Sequence, residues 1–111
     1  MVYCRDMTEL RSPNYDLDSF KSAFSTVDGL AVTRSALLTA TELGFGRADI
    51  VELIQTIERR HFHKSMTSYN DHRVWQDVYH VPSNVGVIYV KFRADILTEF
   101  MLLSFKEKND G

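Results

Sequence analysis

The sequence predicts an α+β domain in which three N-terminal helices pack on one face of an antiparallel sheet. Apolar residues recur at helical spacing up to about residue 60, after which β-branched and aromatic residues take over. The turn signals in the second half are short, and short connections imply antiparallel strands because parallel neighbours need a long crossover. The 111 residues are enough for one domain with a modest core.

The helical half contains clear start and stop signals. Asp16 and Thr33 are residues of the type that caps a helix, because their side-chain oxygens can accept from the first free backbone N–H groups. Gly44 is suited to a left-handed stop after the second helix. We therefore expect helices from Asp16 to about residue 28, from Thr33 to about Leu43 and from about Arg47 to Arg60.

The second half is predicted to form four strands, and the first residues a loosely ordered lead-in. Residues 1–13 mix polar and apolar groups and end in Ser12-Pro13, which favours no regular element. Turn signals follow at residues 69–71, 82–84 and 93–98. The expected strands cover residues 61–66, 73–81, 85–93 and 99–107.

Alternation assigns faces to the last two strands. It places Tyr89 and Lys106 on one open face, provided that the two strands pair as a hairpin. Strand 73–81 is ambiguous, since alternation there does not reveal which side faces solvent. The sets predicted to share a face are Ile88, Val90 and Phe92; Tyr89, Lys91 and Arg93; Met101, Leu103 and Phe105; and Ser104, Lys106 and Lys108.

Composition favours a globular protein of the cytoplasm. No apolar run reaches the ~20 residues of a membrane helix, no secretory leader is recognisable, and the single Cys4 fits a reducing compartment. The net charge of −2 argues against a generic basic nucleic-acid binder. Residues 59–108 nevertheless hold eight basic and five acidic side chains, so this half is the one suited to phosphate, unless the uneven charge is only scatter in a short chain.

Motifs for metal, cofactor or nucleophilic-serine chemistry are missing from the sequence. His61 and His63 are two apart and His72 and His80 eight apart, without further ligands at the spacing of a closed zinc site. Neither a phosphate-binding loop nor a dinucleotide fingerprint occurs, and no glycine-rich elbow surrounds a serine. We therefore expect neither a metal nor a cofactor.

The stretch 62–79, FHKSMTSYNDHRVWQDVY, is unusually dense in polar and cationic groups. RNA can be cut through its own 2′-OH if a protein orients that proton, offsets phosphoryl charge and protonates the leaving oxygen. Lysine, tyrosine and glutamine side chains can do this, and aromatic faces can stack on unpaired bases. The alternatives are a core tryptophan and a solvated strand edge. The candidate RNA contacts are His72, Arg73, Trp75, Tyr79 and Lys108.

Several segments in this order and spacing resemble one known family. They are TRSALL at 33–38, ELG at 42–44, KSMT at 64–67, WQDVY at 75–79 and SFKEK at 104–108. Together they cover about residues 30–108, and the last three are specific as a set. The chain resembles the MqsR family, the motility quorum-sensing regulators that are toxins of bacterial type II toxin–antitoxin systems.

The resemblance implies an mRNA interferase with a RelE-like fold. Such toxins cut single-stranded message without a metal, at GC-containing triplets such as GCU. It also implies a cognate antitoxin as a partner, with DNA contacted only through that antitoxin. The family's proposed functional residues fall on Lys64, Gln76, Tyr89 and Lys106, of which Lys64 and Lys106 would stabilise the phosphate or protonate the leaving oxygen.

The chain departs from the family pattern in several places. The lead-in before residue 30 matches poorly, the hairpin at 92–99 is longer, and His63 and His80 replace other residue types. A second hypothesis also stays open: a non-catalytic module that uses the same scaffold to bind and regulate another protein.

Overall fold

The computed structural model describes residues 9–67, 74–95 and 97–108, with side chains from residue 11 onward. It confirms the α+β class, with three α-helices preceding the main strands of an antiparallel sheet. In chain order the elements are β1 (Glu9–Leu10), α1 (Leu17–Ala23), α2 (Arg34–Glu42), α3 (Arg47–Gln55), β2 (Phe62–Thr67), β3 (Trp75–Ser83), β4 (Gly86–Asp95) and β5 (Glu99–Glu107).

The predicted helix starts are confirmed. The Asp16 carboxylate accepts from the Ser19 N–H at 3.0 Å, and the Thr33 hydroxyl accepts from the Ala36 N–H at 3.2 Å. Gly44 follows α2 with a φ of 90°, the left-handed stop that a glycine adopts without strain. None of the described helices is long and apolar enough to cross a membrane.

Two helices end earlier than predicted. After α1 the Thr26 hydroxyl accepts from the Gly29 N–H, which starts a separate 3₁₀ turn at Val27–Gly29. Helix α3 ends at Gln55, where the Thr56 hydroxyl donates to the Leu53 carbonyl at 2.7 Å. The arginines at 59 and 60 therefore lie in a second 3₁₀ turn, Arg59–His61, and the prediction that they end α3 is wrong.

The sheet has the order β1-β2-β3-β4-β5, and every neighbouring pair is antiparallel. Strand β1 was not predicted: Glu9 and Leu10 pair with Met66 and Ser65, so part of the expected lead-in adds a strand at the edge. The main strands lie within two residues of the predicted bounds. The turn expected at residues 69–71 lies outside the described residues.

The three helices cover one face of the sheet, as predicted. At the centre of this core, the rings of Phe20 from α1 and Phe92 from β4 stack with centroids 3.6 Å apart. Helix α2 lies against β5, where the Thr39 hydroxyl donates to the Phe105 carbonyl at 2.7 Å. This contact satisfies a backbone acceptor of β5 on its side away from β4.

A buried carboxylate ties the lead-in to the sheet. Asp77 is fully buried on β3 and accepts from the backbone N–H groups of Asn14 and Tyr15 at 2.9–3.0 Å. The Tyr15 hydroxyl in turn donates to the Trp75 carbonyl at 2.8 Å. Part of the polar density of the WQDVY segment is therefore structural, because it fixes the chain that enters α1.

Tyr79 is also part of the core. Its ring is fully buried, packs edge-on against Phe62 at 5.4 Å and stacks with Phe92 at 6.0 Å. Within the described chain its hydroxyl has no hydrogen-bond partner. Burial, followed by the charge of Asp77, raises the pKa of Tyr79 to about 12.

We expect Tyr79→Phe to match or exceed the wild type in stability at pH 7, by up to about 1 kcal/mol, because the lost hydroxyl makes no hydrogen bond. Above pH ~10 the unfolded tyrosine ionises while the folded one stays protonated, so wild-type stability falls up to pH ~12. The difference in the free energy of unfolding between Tyr79→Phe and the wild type then grows towards about 3 kcal/mol in favour of the variant. Urea titrations at several pH values measure this difference. A difference that does not change with pH would contradict the raised pKa of Tyr79.

Candidate functional site

The face of the sheet opposite the helices carries the remaining polar side chains. On β3, Tyr79 and Val81 point into the core, so the alternating residues Gln76, Val78 and His80 point to the opposite, open face. The register carries this assignment to the neighbouring strands, because directly paired residues share a face. Tyr89 is paired with His80, and Lys91 with Val78.

An extra residue in β2 enlarges this open face. Phe62 is paired with Tyr79 and Lys64 with Val78, so His63 is inserted as a bulge between two successive pairs. Phe62 packs against Tyr79 on the helix side, whereas the His63 ring stacks on His80 at 4.1 Å. The bulge therefore brings both His63 and Lys64 to the open face.

A second bulge inserts one extra residue in β5. Leu102 is paired with Phe92 and Ser104 with Lys91, which leaves Leu103 as the extra residue. Leu102 and Phe105 are both fully buried although they are three apart. The prediction that Met101, Leu103 and Phe105 share a face is therefore wrong, because simple alternation fails at a bulge. Lys106 nevertheless reaches the open face, opposite Tyr89.

Four side chains form a cross-strand row that we call the tyrosine row: His63, His80, Tyr89 and Lys106. The rings of His80 and Tyr89 lie 5.8 Å apart, and Lys106 Nζ lies 5.2 Å from the centroid of the Tyr89 ring. Tyr89 is half-buried and Lys106 exposed. The row thus places a phenol between an ammonium group and an imidazole on an accessible surface.

The neighbouring row, the lysine row, consists of Lys64, Val78, Lys91 and Ser104. Val78, the apolar member of this row, is fully buried. Burial, and then the charges of Lys106 and Lys64, hold the pKa of Lys91 below its ordinary value. The charges of Lys64 and Lys106 are therefore close enough to Lys91 to oppose its charge, a repulsion that an anion would relieve.

The structure brings the four predicted catalytic residues to one face but not to one point. Lys64, Tyr89 and Lys106 lie in adjacent rows. Gln76 pairs with Met66 and is four residues from His80 along β3, about 13 Å at ~3.3 Å per residue. It therefore lies apart from the side chains grouped around Tyr89.

Of the five predicted RNA contacts, the structure describes Trp75, Tyr79 and Lys108. His72 and Arg73 lie outside the described residues. Tyr79 is fully buried in the core, so its predicted base contact is wrong: the alternation of β3 points it at the helices. Trp75 is half-buried and shares this helix-facing side with Asp77. Lys108 follows β5 and donates its backbone N–H to the Val87 carbonyl at 2.7 Å, next to the tyrosine row.

Metal-ligating groups are sparse in the part of the chain that the structure describes. Within residues 9–67, 74–95 and 97–108, no three histidine, cysteine, aspartate or glutamate side chains are grouped closely enough to hold a metal ion. The open face instead offers ammonium, phenol and imidazole groups.

Comparison with known proteins identifies a family model and a curated relative. The family model described as motility quorum-sensing regulator, toxin of MqsA, matches residues 12–107. A curated protein of Escherichia coli (strain K12), named mRNA interferase toxin MqsR, is 37% identical over 100 residues. That alignment covers 90% of this chain and 99% of the relative.

Lys64, Lys91 and Lys106 together form what we call the cationic cluster. Lys91 is the member of this cluster that sequence reasoning did not propose as a site residue. The sequence did place Lys91 on the same face as Tyr89, because the two residues are two positions apart in β4. Its position between Lys64 and Lys106 depends on the pairing of β4 with both neighbours, which local sequence does not reveal.

We expect Lys91→Met to raise the free energy of unfolding by a few tenths to about 1 kcal/mol at low ionic strength, because it keeps the apolar stem and removes like-charge repulsion. The gain should shrink in about 1 M salt. Since the folded pKa of Lys91 lies below its unfolded value, wild-type stability also rises with pH between the two, and the variant loses that rise.

Denaturant titrations at two salt concentrations measure this effect. The exposed cation at the start of α3 supplies a matched control for the pH effect, since Arg47→Met leaves the open face intact and should keep the rise of stability with pH. A loss of stability in Lys91→Met at low salt would mean that attraction outweighs repulsion around this lysine.

Proposed function

The chain belongs to the family of motility quorum-sensing regulator toxins, and we propose that it is an endoribonuclease, an mRNA interferase that cuts single-stranded message. We propose in addition that it needs no metal, prefers GC-containing triplets such as GCU, and is held inactive by a cognate antitoxin in the cytoplasm. Contact with DNA would be indirect, through that antitoxin.

The observation that carries this proposal is an open sheet face on which Lys106 lies over the Tyr89 ring and the neighbouring row holds Lys64 and Lys91. Cleavage through the 2′-OH builds negative charge on the phosphoryl oxygens, and fixed cations stabilise it more strongly in the transition state than in the ground state. Lys64 and Lys106 stabilise this charge or protonate the leaving oxygen. The Tyr89 hydroxyl positions the phosphate or relays a proton.

Substrate positioning falls to groups around this centre. Gln76, about 13 Å along β3 from the tyrosine row, orients an adjacent nucleotide. His72, Arg73 and Lys108 are the remaining proposed RNA contacts. An accessible face suits a single strand, whose bases are free to turn towards the protein.

A short GCU-containing RNA incubated with the pure protein and EDTA should be cut to a 2′,3′-cyclic phosphate end, because the nucleophile is the substrate's own 2′-OH. Lys106→Ala should slow cleavage ~10²-fold or more through loss of transition-state charge stabilisation. Gel electrophoresis of end-labelled RNA measures both. The control Arg47→Ala removes an exposed cation from the helix layer and should cut at the wild-type rate. Intact RNA with the wild type would count against the proposed function.

In cells, expression of the wild type without antitoxin should arrest growth, and Lys64→Ala should relieve the arrest because it removes a cation from the phosphate site. Growth curves with induction measure this, and circular dichroism shows whether the variant is folded. If a folded Lys64→Ala protein still arrests growth, the chain acts through protein binding rather than RNA cleavage.

A further inference from the structure

Two imidazole rings on the open face have no role in the mechanism above. His80 is half-buried on the central strand β3, and His63 is exposed at the β2 bulge. Their rings stack at 4.1 Å with an interplanar angle of 22°. His80 also lies beside Tyr89, at 5.8 Å between ring centroids. The tyrosine row thus contains a group that can exchange a proton near neutral pH.

The described neighbours of His80 on the open face are aromatic rings and lysine side chains. Among the residues that the structure describes, the titratable groups on the same sheet face in the neighbouring rows are His63 and Lys64 from β2, Tyr89 and Lys91 from β4, and Lys106 from β5. Imidazole is mostly neutral at pH 7. A charged His80 would in addition be repelled by the nearby ammonium groups and by a charged His63. A neutral imidazole nitrogen is a proton acceptor, which is what a 2′-OH nucleophile requires.

The cross-strand order places this acceptor opposite a donor. Tyr89 is paired with His80 on one side and with Lys106 on the other. Neighbouring strands lie about 4.8 Å apart, so the two groups are about 10 Å apart at the backbone, with the tyrosine between them. In an in-line displacement the attacking and leaving oxygens lie on opposite sides of the phosphorus. A phosphoryl group held over Tyr89 would therefore have His80 on one side and Lys106 on the other.

We propose that His80 is a catalytic residue of this site, the general base that accepts the 2′ proton, and that His63 positions it by ring stacking. This inference rests on the proposed endoribonuclease function. As the 2′ oxygen attacks, its proton passes to the His80 ring, the O2′–P bond forms and the P–O5′ bond breaks. The 5′ oxygen takes a proton from the Lys106 ammonium. The products are a 2′,3′-cyclic phosphate and a 5′-OH, and solvent restores both protein groups.

The test is single-turnover cleavage of a GCU-containing RNA from pH 5 to pH 9 with EDTA. The wild-type rate should rise with pH through a limb on the acidic side of neutrality, since only neutral imidazole accepts the proton. His80→Gln should slow cleavage by about 10²–10⁴-fold and lose this limb. Added imidazole should partly restore His80→Ala, which a merely structural role would not allow.

His61→Gln is the matched control. His61 lies in the 3₁₀ turn before β2, where its Nδ1 accepts from the Glu58 N–H at 2.9 Å. This variant should keep both the rate and the limb of the wild type. His63→Gln should slow cleavage less than His80→Gln and retain the limb, because the base itself is still present.

The outcomes separate the two levels of the proposal. If the wild type cuts RNA but shows no limb between pH 5 and pH 8, the role of His80 is overturned and the endoribonuclease stands; this result needs no variant to fold. A folded His80→Gln protein that keeps the wild-type rate and limb overturns it equally. If the wild type cuts no RNA, both proposals fail.

Discussion

The extra residue in β5 is the constraint on which both faces of the sheet depend. Leu102 and Phe105 must both enter the core that the helices close, and only a bulge between them allows this at a separation of three residues. The same step turns Lys106 to the open face, opposite Tyr89. Without the bulge, the alternation that buries Leu102 would turn Lys106 towards the helices. The same bulge therefore determines both the packing of the core and the position of Lys106 on the open face.

The bulge in β2 acts in a complementary way on the other side of β3. It keeps Phe62 packed against Tyr79 while it adds His63 to the face that already bears Lys64. Burial, and then the charges of Lys106 and Lys64, lower the pKa of Lys91, so the charged form of this lysine is disfavoured in the free protein. A bound polyanion would favour the charged lysine, so an arrangement that reduces stability suits the proposed RNA site. A rigid sheet holds these groups in place, because each strand is fixed by its neighbours.

Local chemistry explains how much of the fold could be predicted. Helix starts were found at Asp16 and Thr33 because a cap depends on residues within one turn. Helix ends were placed too late in α1 and α3, where hydroxyl groups of Thr26 and Thr56 make competing hydrogen bonds. Strand β1 could not be foreseen, since a two-residue strand has no periodicity and forms only because β2 offers an edge.

The sequence by itself determined the class of the fold, the helix caps, the family and the residue types suited to phosphate chemistry, all of which depend on neighbouring residues or on short motifs. The tertiary structure decided which side chains share a face. Tyr79 went to the core, Lys91 joined the cationic cluster, and His63 and His80 came together beside Tyr89. These outcomes depend on register and on two bulges, and register is set by pairing between strands distant in the chain, where one inserted residue reverses every following side chain.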